Sequence, residues 1–414
     1  MVGRDPLPER QKAEEPGRSW PTVRVVLLLS LVLAGCTTPV ASEAPGPEAP
    51  GAPELVWSLG DPSVVAPVPN NQVEAALTVS PDGQTVLTCF HGLFTETSPG
   101  YASTDGGESW TRMAFPPEAG VGGDCETALL EDGSWAFLAS TVAGATVMVS
   151  QDNGTTWIVS QAAAIPINGL ADRPWLAGVG NELWLTYMPL YVQPGTIGFT
   201  KSTDHGQTWS TPILIGTPGP DSVSVRHGHM VVGDGTVYIP MVRYSIMGTG
   251  LRVVQLASSR DGVSWEIDEV IRTNEILGDW PSLALTEAGE LVMAVTLAGR
   301  SIGYMVRHAD GAWDELGVLH DAGDAGASWP WIDGGNGHNA TFIVEGRAAD
   351  GERQLWIGRI DALTGAIKEW PVWPGPGVEF ASVDHDREGR AYAAWVAGGD
   401  AQYFVRSNWD APLA

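Results

Sequence analysis

Lysine is almost absent from this 414-residue chain: only Lys12, Lys201 and Lys368 occur. Lysine and arginine together number 22 against 49 acidic residues, a formal charge of −27. Such a chain repels polyphosphates, so nucleic acid and anionic lipid are poor partners for it. Cysteine is scarce at three residues, and no CxxC pair, Ser nucleophile elbow or Gly-rich phosphate loop occurs. No long stretch carries apolar residues at a 3.6-residue period, which argues against a helical fold. The longest apolar run, Val25–Ala34, is broken by Ser30 and is too short to cross a bilayer as a helix. What is abundant is turn chemistry and tryptophan: Gly 51, Pro 30 and Trp 18, with 43% hydrophobic residues to fill a core.

Three segments read almost alike: Ser103-Thr-Asp-Gly-Gly-Glu-Ser-Trp110, Ser150-Gln-Asp-Asn-Gly-Thr-Thr-Trp157 and Ser202-Thr-Asp-His-Gly-Gln-Thr-Trp209. Ser and Asp side chains accept hydrogen bonds from backbone N–H groups a few residues on, which closes a turn without a neighbouring strand. Tryptophan at a constant offset supplies a large apolar anchor. Degraded copies follow at Ser259-Arg-Asp-Gly-Val-Ser-Trp265, Ala309-Asp-Gly-Ala-Trp313 and Arg406-Ser-Asn-Trp409. The aspartates at 105, 152, 204, 261 and 310 are spaced by 47, 52, 57 and 49 residues. About 50 residues is one four-stranded propeller blade with its loops.

The pattern Ser-x-Asp-x-Gly-x-Ser/Thr-Trp resembles the Asp-box of sialidases and related BNR-repeat β-propellers. The expected fold is therefore all-β, a propeller of four-stranded antiparallel blades over residues 54–414. Seven inner strands are expected at Val73–Val79, Glu126–Leu130, Trp175–Val179, His229–Val232, Pro281–Leu285, Trp331–Gly334 and Glu379–Asp384. Seven blades is the preferred count, with six, common in sialidases, as the alternative. Glu54–Leu59 is expected to complete the last blade and close the ring, which removes exposed edges. The box residues Asp105, Trp110, Asp152, Trp157, Asp204, Trp209, Asp261 and Trp265 are expected to be structural. Cys89 and Cys125 either pair or stand as two buried thiols.

The N-terminus reads as an export signal over residues 1–35. Its apolar run follows Arg18 and Arg24 and ends in Leu33-Ala-Gly-Cys36, which resembles the lipobox of prokaryotic lipoproteins. That resemblance implies lipidation of Cys36 and anchorage at the outer face of the cytoplasmic membrane or at the outer membrane. An ordinary secretory signal with an incidental Cys36 is the alternative. Asp5, Glu9, Glu14 and Glu15 in the leader fit a translation start downstream of Met1. Residues 36–53, rich in Pro, Ala and Glu, read as an unfolded tether.

The turns bearing the boxes lie on one face of a propeller, and the segments that open each blade lie on the other. Those segments are Asp124-Cys-Glu126, Asp172-Arg-Pro-Trp175, Arg226-His-Gly-His229, Gly278-Asp-Trp-Pro281, Ser328-Trp-Pro-Trp331 and Glu379-Phe380. Asp172, Arg173, Trp175, Asp279, Trp280, Trp329 and Trp331 form the expected ligand set, since indole faces stack on sugars and Asp and Arg bind hydroxyls or carboxylates. The same residues also serve simply to start the inner strands. Loops after the second strands add Tyr187, Tyr191, Arg243, Tyr244, Arg300, Glu345 and Arg347.

The sialidase resemblance implies three arginines on a substrate carboxylate, a Tyr–Glu nucleophile pair and an Asp acid/base. An Arg-Ile-Pro-type motif is expected to open the first blade, yet Pro67 to Ala75 contains no arginine. Arg173, Arg226, Arg243 and Arg300 are the substitute cluster, with Tyr187 or Tyr244 paired to Glu345. Asp384-His-Asp386 reads as a hairpin turn rather than a cation loop, and Arg226-His227-Gly-His229 is a weak metal signal. No metal or cofactor is expected. Two functions remain: an anchored propeller that binds a glycan or protein outside the cytoplasm, or a divergent exo-glycosidase acting on acidic sugars.

Overall fold

A computed structural model describes residues 57–67, 74–91, 98–120, 122–141, 144–164, 171–189, 194–217, 223–245, 250–277, 280–321, 323, 326–347, 353–373, 379–397 and 401–409. Cys36, the export signal, the tether, Tyr191 and Asp279 lie outside the described residues, as do the side chains of Arg347, Glu379 and Phe380.

Seven antiparallel sheets follow one another along the chain. Their inner strands are Ala75–Val79, Cys125–Leu129, Ala171–Val179, Val223–His227 continued by Val231–Gly233, Ser282–Leu285, Ser328–Gly334 and Glu379–His385. We number the blades I to VII in that order. Blades I to VI each run inner to outer with sequence. Blade VII takes its outer edge from the other end of the chain: Trp57–Leu59 and Ser63–Pro67 both pair with Ala401–Trp409. The expected count of seven and the closure by the N-terminal segment are both present, and six blades is excluded.

Blade IV differs from expectation. Its inner strand starts at Val223 and is interrupted between His227 and Val231. Within the break, a Cβ on Gly228 would lie 2.0 Å from the carbonyl oxygen of Pro281. Blade IV thus passes backbone-to-backbone against blade V, which only glycine permits.

The core sits between blades rather than at the axis. Seven apolar clusters occur, one at each blade–blade junction. Inner and second strands are flanked by neighbouring blades and are largely buried; Trp135–Thr141 is buried at every position. Outer strands meet water, and Glu266–Thr273 is polar and exposed over its first half.

The repeated Ser-x-Asp turns lie between third and fourth strands and fasten each blade to the one before. In blade III, Ser202 Oγ donates to Asp204 Oδ1 (2.7 Å) and accepts from Gly206 N (2.9 Å). Asp204 in turn accepts from Thr208 N at 2.8 Å. Blades I and II repeat this geometry, and blade IV keeps it with one residue fewer, Ser259 Oγ accepting from Gly262 N at 2.9 Å. Each tryptophan then reaches the preceding blade. Trp110 packs edge-on against Phe404 at 5.1 Å, Trp157 against Phe115 at 4.9 Å, and Trp265 against Phe199 at 5.0 Å. Trp209 Nε1 donates to Ser160 Oγ at 2.9 Å. The fit is close: a Cβ on Gly107 would lie 2.1 Å from Phe404 Cε1. Blade VI has a related turn at Asp361, which accepts from Leu363 N and Thr364 N. Cys89 of blade I and Cys125 of blade II are joined as a disulfide, which resolves that alternative.

Candidate functional site

The mouth of the axis is built from one region of every blade, at or just before the start of the inner strand and, in blade IV, at the break within it. Glu74, Asp124, Arg173, His229, Trp280, Trp329 and Ala381, one per blade, line a recess of about 620 Å³ that is open to solvent. In blades III and VI the strand bulges there, between Asp172 and Trp175 and between Ser328 and Trp331. Arg173 and Trp329, each followed by proline, adopt φ of 48° and 50°, and Glu74 adopts 67°. Left-handed backbone at a non-glycine residue is costly, more so before proline, and such strain gathers at functional sites.

Two arginines converge on one indole. The guanidinium carbons of Arg173 and Arg226 lie 4.6 and 4.5 Å from the Trp280 ring centroid. Arg173 Nη2 donates to Glu74 Oε1 at 2.6 Å, and its backbone N–H donates to Asp124 Oδ2 at 3.1 Å. Arg226 stands 4.0 Å from Asp172. Beside them His91 Nδ1 lies 2.9 Å from Asp124 and 3.5 Å from Glu74.

These contacts separate the proton affinities of the cluster. Burial raises the Glu74 carboxyl above the usual range against the opposing pull of His91 and Arg173. Burial also opposes ionisation of Asp124, but the hydrogen bond from His91 and the Arg173 charge win, holding it down at about 2. Burial disfavours the charged form of His91, yet its carboxylate partners push it up to about 9. Burial and the Asp124 charge raise Asp172. The donor atoms of Glu74, His91 and Asp124 lie within 4.8 Å of one another, which is metal-ligand spacing. His91 bridges the two carboxylates and Arg173 binds Glu74, so the four side chains form an ion-pair network.

Below the arginines a layer of rings floors the recess. His229 stacks on Trp331 at 4.6 Å and 6°, and Trp175 meets both rings edge-on. Trp175 Nε1 donates to His227 O at 3.1 Å. Burial lowers His229 to about 4, so it is a neutral part of the stack. Under this floor lies an axial chamber of about 850 Å³ whose wall includes Glu126, Asp333 and Asp384.

Of the expected ligand set, Arg173, Trp175, Trp280, Trp329 and Trp331 line the recess, and Asp172 stands beside it on Arg226. Of the substitute arginine cluster, Arg173 and Arg226 converge, while Arg243 and Tyr244 do not line the recess. Tyr187 is 5% exposed within the core between blades II and III, and burial raises its hydroxyl pKa. Glu345 is bonded to Arg353 at 2.8 Å, away from both tyrosines. The expected Tyr–Glu pair is thus not assembled among the described residues. Two members of the charged cluster were not anticipated, Glu74 and His91. Glu74 holds the same blade position as Asp124 and Arg173, so superposing the repeats would have exposed it. His91 directly follows the second strand Val86–Phe90 and has no local motif.

Fold and site together define a seven-bladed β-propeller with a charged, tryptophan-rich axial mouth. No family model matches the chain. A sialidase of Bacteroides fragilis (strain YCH46) is 26% identical over 181 residues, which cover 42% of this chain and 29% of that protein. The match thus spans under a third of that relative. Among solved structures, a polysaccharide lyase of family PL25, an ulvan lyase bound to -[GlcA(1-4)Rha3S]-, superposes with TM-score 0.60 at 10% identity over 83% of this chain and 95% of that one. An α-L-arabinanase of Penicillium chrysogenum complexed with arabinobiose gives 0.52 at 15% identity, over 85% and 98%. A protein of unknown function from Dyadobacter fermentans gives 0.53 at 12% identity, over 86% and 99%. These likenesses establish the propeller fold.

Proposed function

We propose that this protein binds a carbohydrate at the axial mouth. The observation that carries the reading is the pair of guanidiniums held on the Trp280 indole inside a recess to which all seven blades contribute. Half-buried indoles supply apolar faces for sugar rings, and fixed Asp, Glu and Arg groups supply directional partners for hydroxyls and carboxylates. The sialidase relative, the arabinanase and the lyase all act on carbohydrates by name, which supports the same ligand class here. The lipobox-like Leu33-Ala-Gly-Cys36 supports placing that site outside the cytoplasm on a lipid-anchored chain. Cys36→Ser is then expected to move the protein from the membrane fraction to the soluble one; unchanged partitioning removes the anchor from the proposal.

One observation favours a hydrolytic reading of the same site. Glu74 and Asp124 share His91 as a partner, and burial raises Glu74 while the His91 hydrogen bond and the Arg173 charge hold Asp124 down. Two neighbouring carboxyls of unequal proton affinity are the kind of pair glycoside hydrolysis uses. Hydrolysis of a panel of fluorogenic glycosides, sialosides included, tests it. Turnover that drops by about 100-fold or more in both Glu74→Gln and Asp124→Asn assigns the chemistry to this pair. Turnover indifferent to both substitutions, or none at all, leaves binding as the function of the mouth.

A further inference from the structure

Trp329 lines two recesses. One is the axial mouth. The other is a separate hollow of about 780 Å³ between blades V and VI, whose wall includes Thr296, Arg300, Ser328, Glu345 and Arg353. All of these belong to the mouth-side ends of their strands. Thr296 and Glu345 stand at or near the ends of the second strands Leu291–Thr296 and Asn339–Arg347, and Ser328 opens an inner strand. The two recesses therefore open on the same face, with the half-buried Trp329 between them.

The second hollow is cationic in an acidic protein. Arg353 Nη1 holds Glu345 Oε1 at 2.8 Å, so the inner end of that wall is a neutral pair. Arg300 is exposed, and among the described residues it forms no ion pair. Its backbone is left-handed, with φ 62°, and its carbonyl accepts from Ala327 N, which ties its loop to the start of blade VI. The aliphatic stem of Arg300 lies along Gly326, where an added Cβ would come 3.1 Å from Arg300 Cδ. The guanidinium is thus presented at the hollow by a tethered loop and a packed stem. With Arg173, Arg226 and the Glu345-bound Arg353, Arg300 makes four guanidiniums, and no lysine, along this one face-side groove.

Resting on the carbohydrate reading above, we propose that the axial mouth continues across Trp329 into this hollow. Together they form a groove for an anionic oligosaccharide of two or more sugar units, with a carboxylate or sulfate group against Arg300. Planar guanidiniums bind such groups through paired hydrogen bonds, and an indole between two polar hollows suits a sugar ring flanked by charged neighbours. The overall charge of −27 argues against a densely charged polyphosphate and for a ligand with sparse negative groups.

The test is calorimetric titration of the full chain with uronate and sulfated oligosaccharides of one to six units, with neutral oligosaccharides of matched length as controls. The expected result is affinity at least about tenfold higher for acidic oligosaccharides than for their monosaccharides. Arg300→Ala is expected to remove about that factor for the oligosaccharides and leave monosaccharide affinity unchanged. Arg300→Gly, which relieves the left-handed backbone, is expected to do the same with the fold intact by melting temperature. Trp280→Ala is expected to weaken every ligand. Affinity independent of length, or oligosaccharide binding that both Arg300 variants retain, overturns the groove while the mouth reading stands. Absence of binding by any acidic sugar overturns both.

Discussion

Glu126 is the clearest case of a single residue whose chemistry is set by its surroundings. It lies on the inner strand of blade II at the axial chamber and is 4% exposed. One carboxyl oxygen accepts from Thr127 N at 2.9 Å, and the other has no hydrogen-bond partner among the described residues. Burial pushes its pKa up to about 8. Asp384 faces the same chamber; burial and then the Asp333 charge raise it well above the usual range, although Val79 N and His385 N donate to it. Glu126 and Asp384 therefore keep protons in the folded protein at pH values where the unfolded chain has lost them. Their contribution to stability is full below the ordinary carboxyl range and is lost as pH rises through about 8 for Glu126, with His91 adding a similar loss near 9. Glu126→Gln is expected to flatten part of the decline and to stabilise the protein above pH 8 by a few kcal/mol at most, of order. Melting curves from pH 5 to 9 read this directly. An identical slope in wild type and Glu126→Gln would show that Glu126 ionises freely. The sequence marks Glu126 only as the last residue of the blade-opening segment Asp124-Cys-Glu126, because a glutamate at a strand start carries no local sign that it will be buried.

At the scale of the element, the Ser-x-Asp turn was fully legible. Ser, Asp, Gly and Trp at fixed offsets act through local hydrogen bonds, and local bonds follow from local sequence. Less legible was the tryptophan's destination, because it packs on the preceding blade, which for Trp265 is the stretch around Phe199 and for Trp110 is Phe404 at the far end of the chain. The turn at Asp361 escaped notice because it lacks both the serine and the tryptophan at the usual offsets. The serine is the better probe of the device, since Ser202 is 1% exposed and Gly206 N depends on it. Ser202→Ala is expected to cost about 1–3 kcal/mol, the price of an unpaired buried N–H. Urea unfolding measures it, and sugar affinity should not change because the turn lies on the face opposite the mouth. A loss of affinity at unchanged stability would overturn the purely structural role.

For the whole molecule, closure is the decisive event. Ala401–Trp409 would be an open edge without Trp57–Leu59 and Ser63–Pro67, and an open edge invites association with other chains. Deleting residues 57–67 is expected to lower the melting temperature and to produce concentration-dependent oligomers by size exclusion. A monomer with unchanged melting temperature would mean that the ring closes without its N-terminal strands. Blade count followed from sequence because each blade carries its own alternating strands and turns. The sequence also marked the blade-opening segments, including Arg173, Trp280 and Trp329, since they recur at one position in the repeat. It did not reveal that Glu74, His91 and Asp124 meet, that Arg173 and Arg226 share one indole, or that Tyr187 turns into the core. Those outcomes depend on which face of a strand points to the axis and on how seven blades converge there. Short-range hydrogen bonding and the succession of strands and turns are written in neighbouring residues. Convergence at an axis joins residues up to several hundred positions apart, and ring geometry alone decides it.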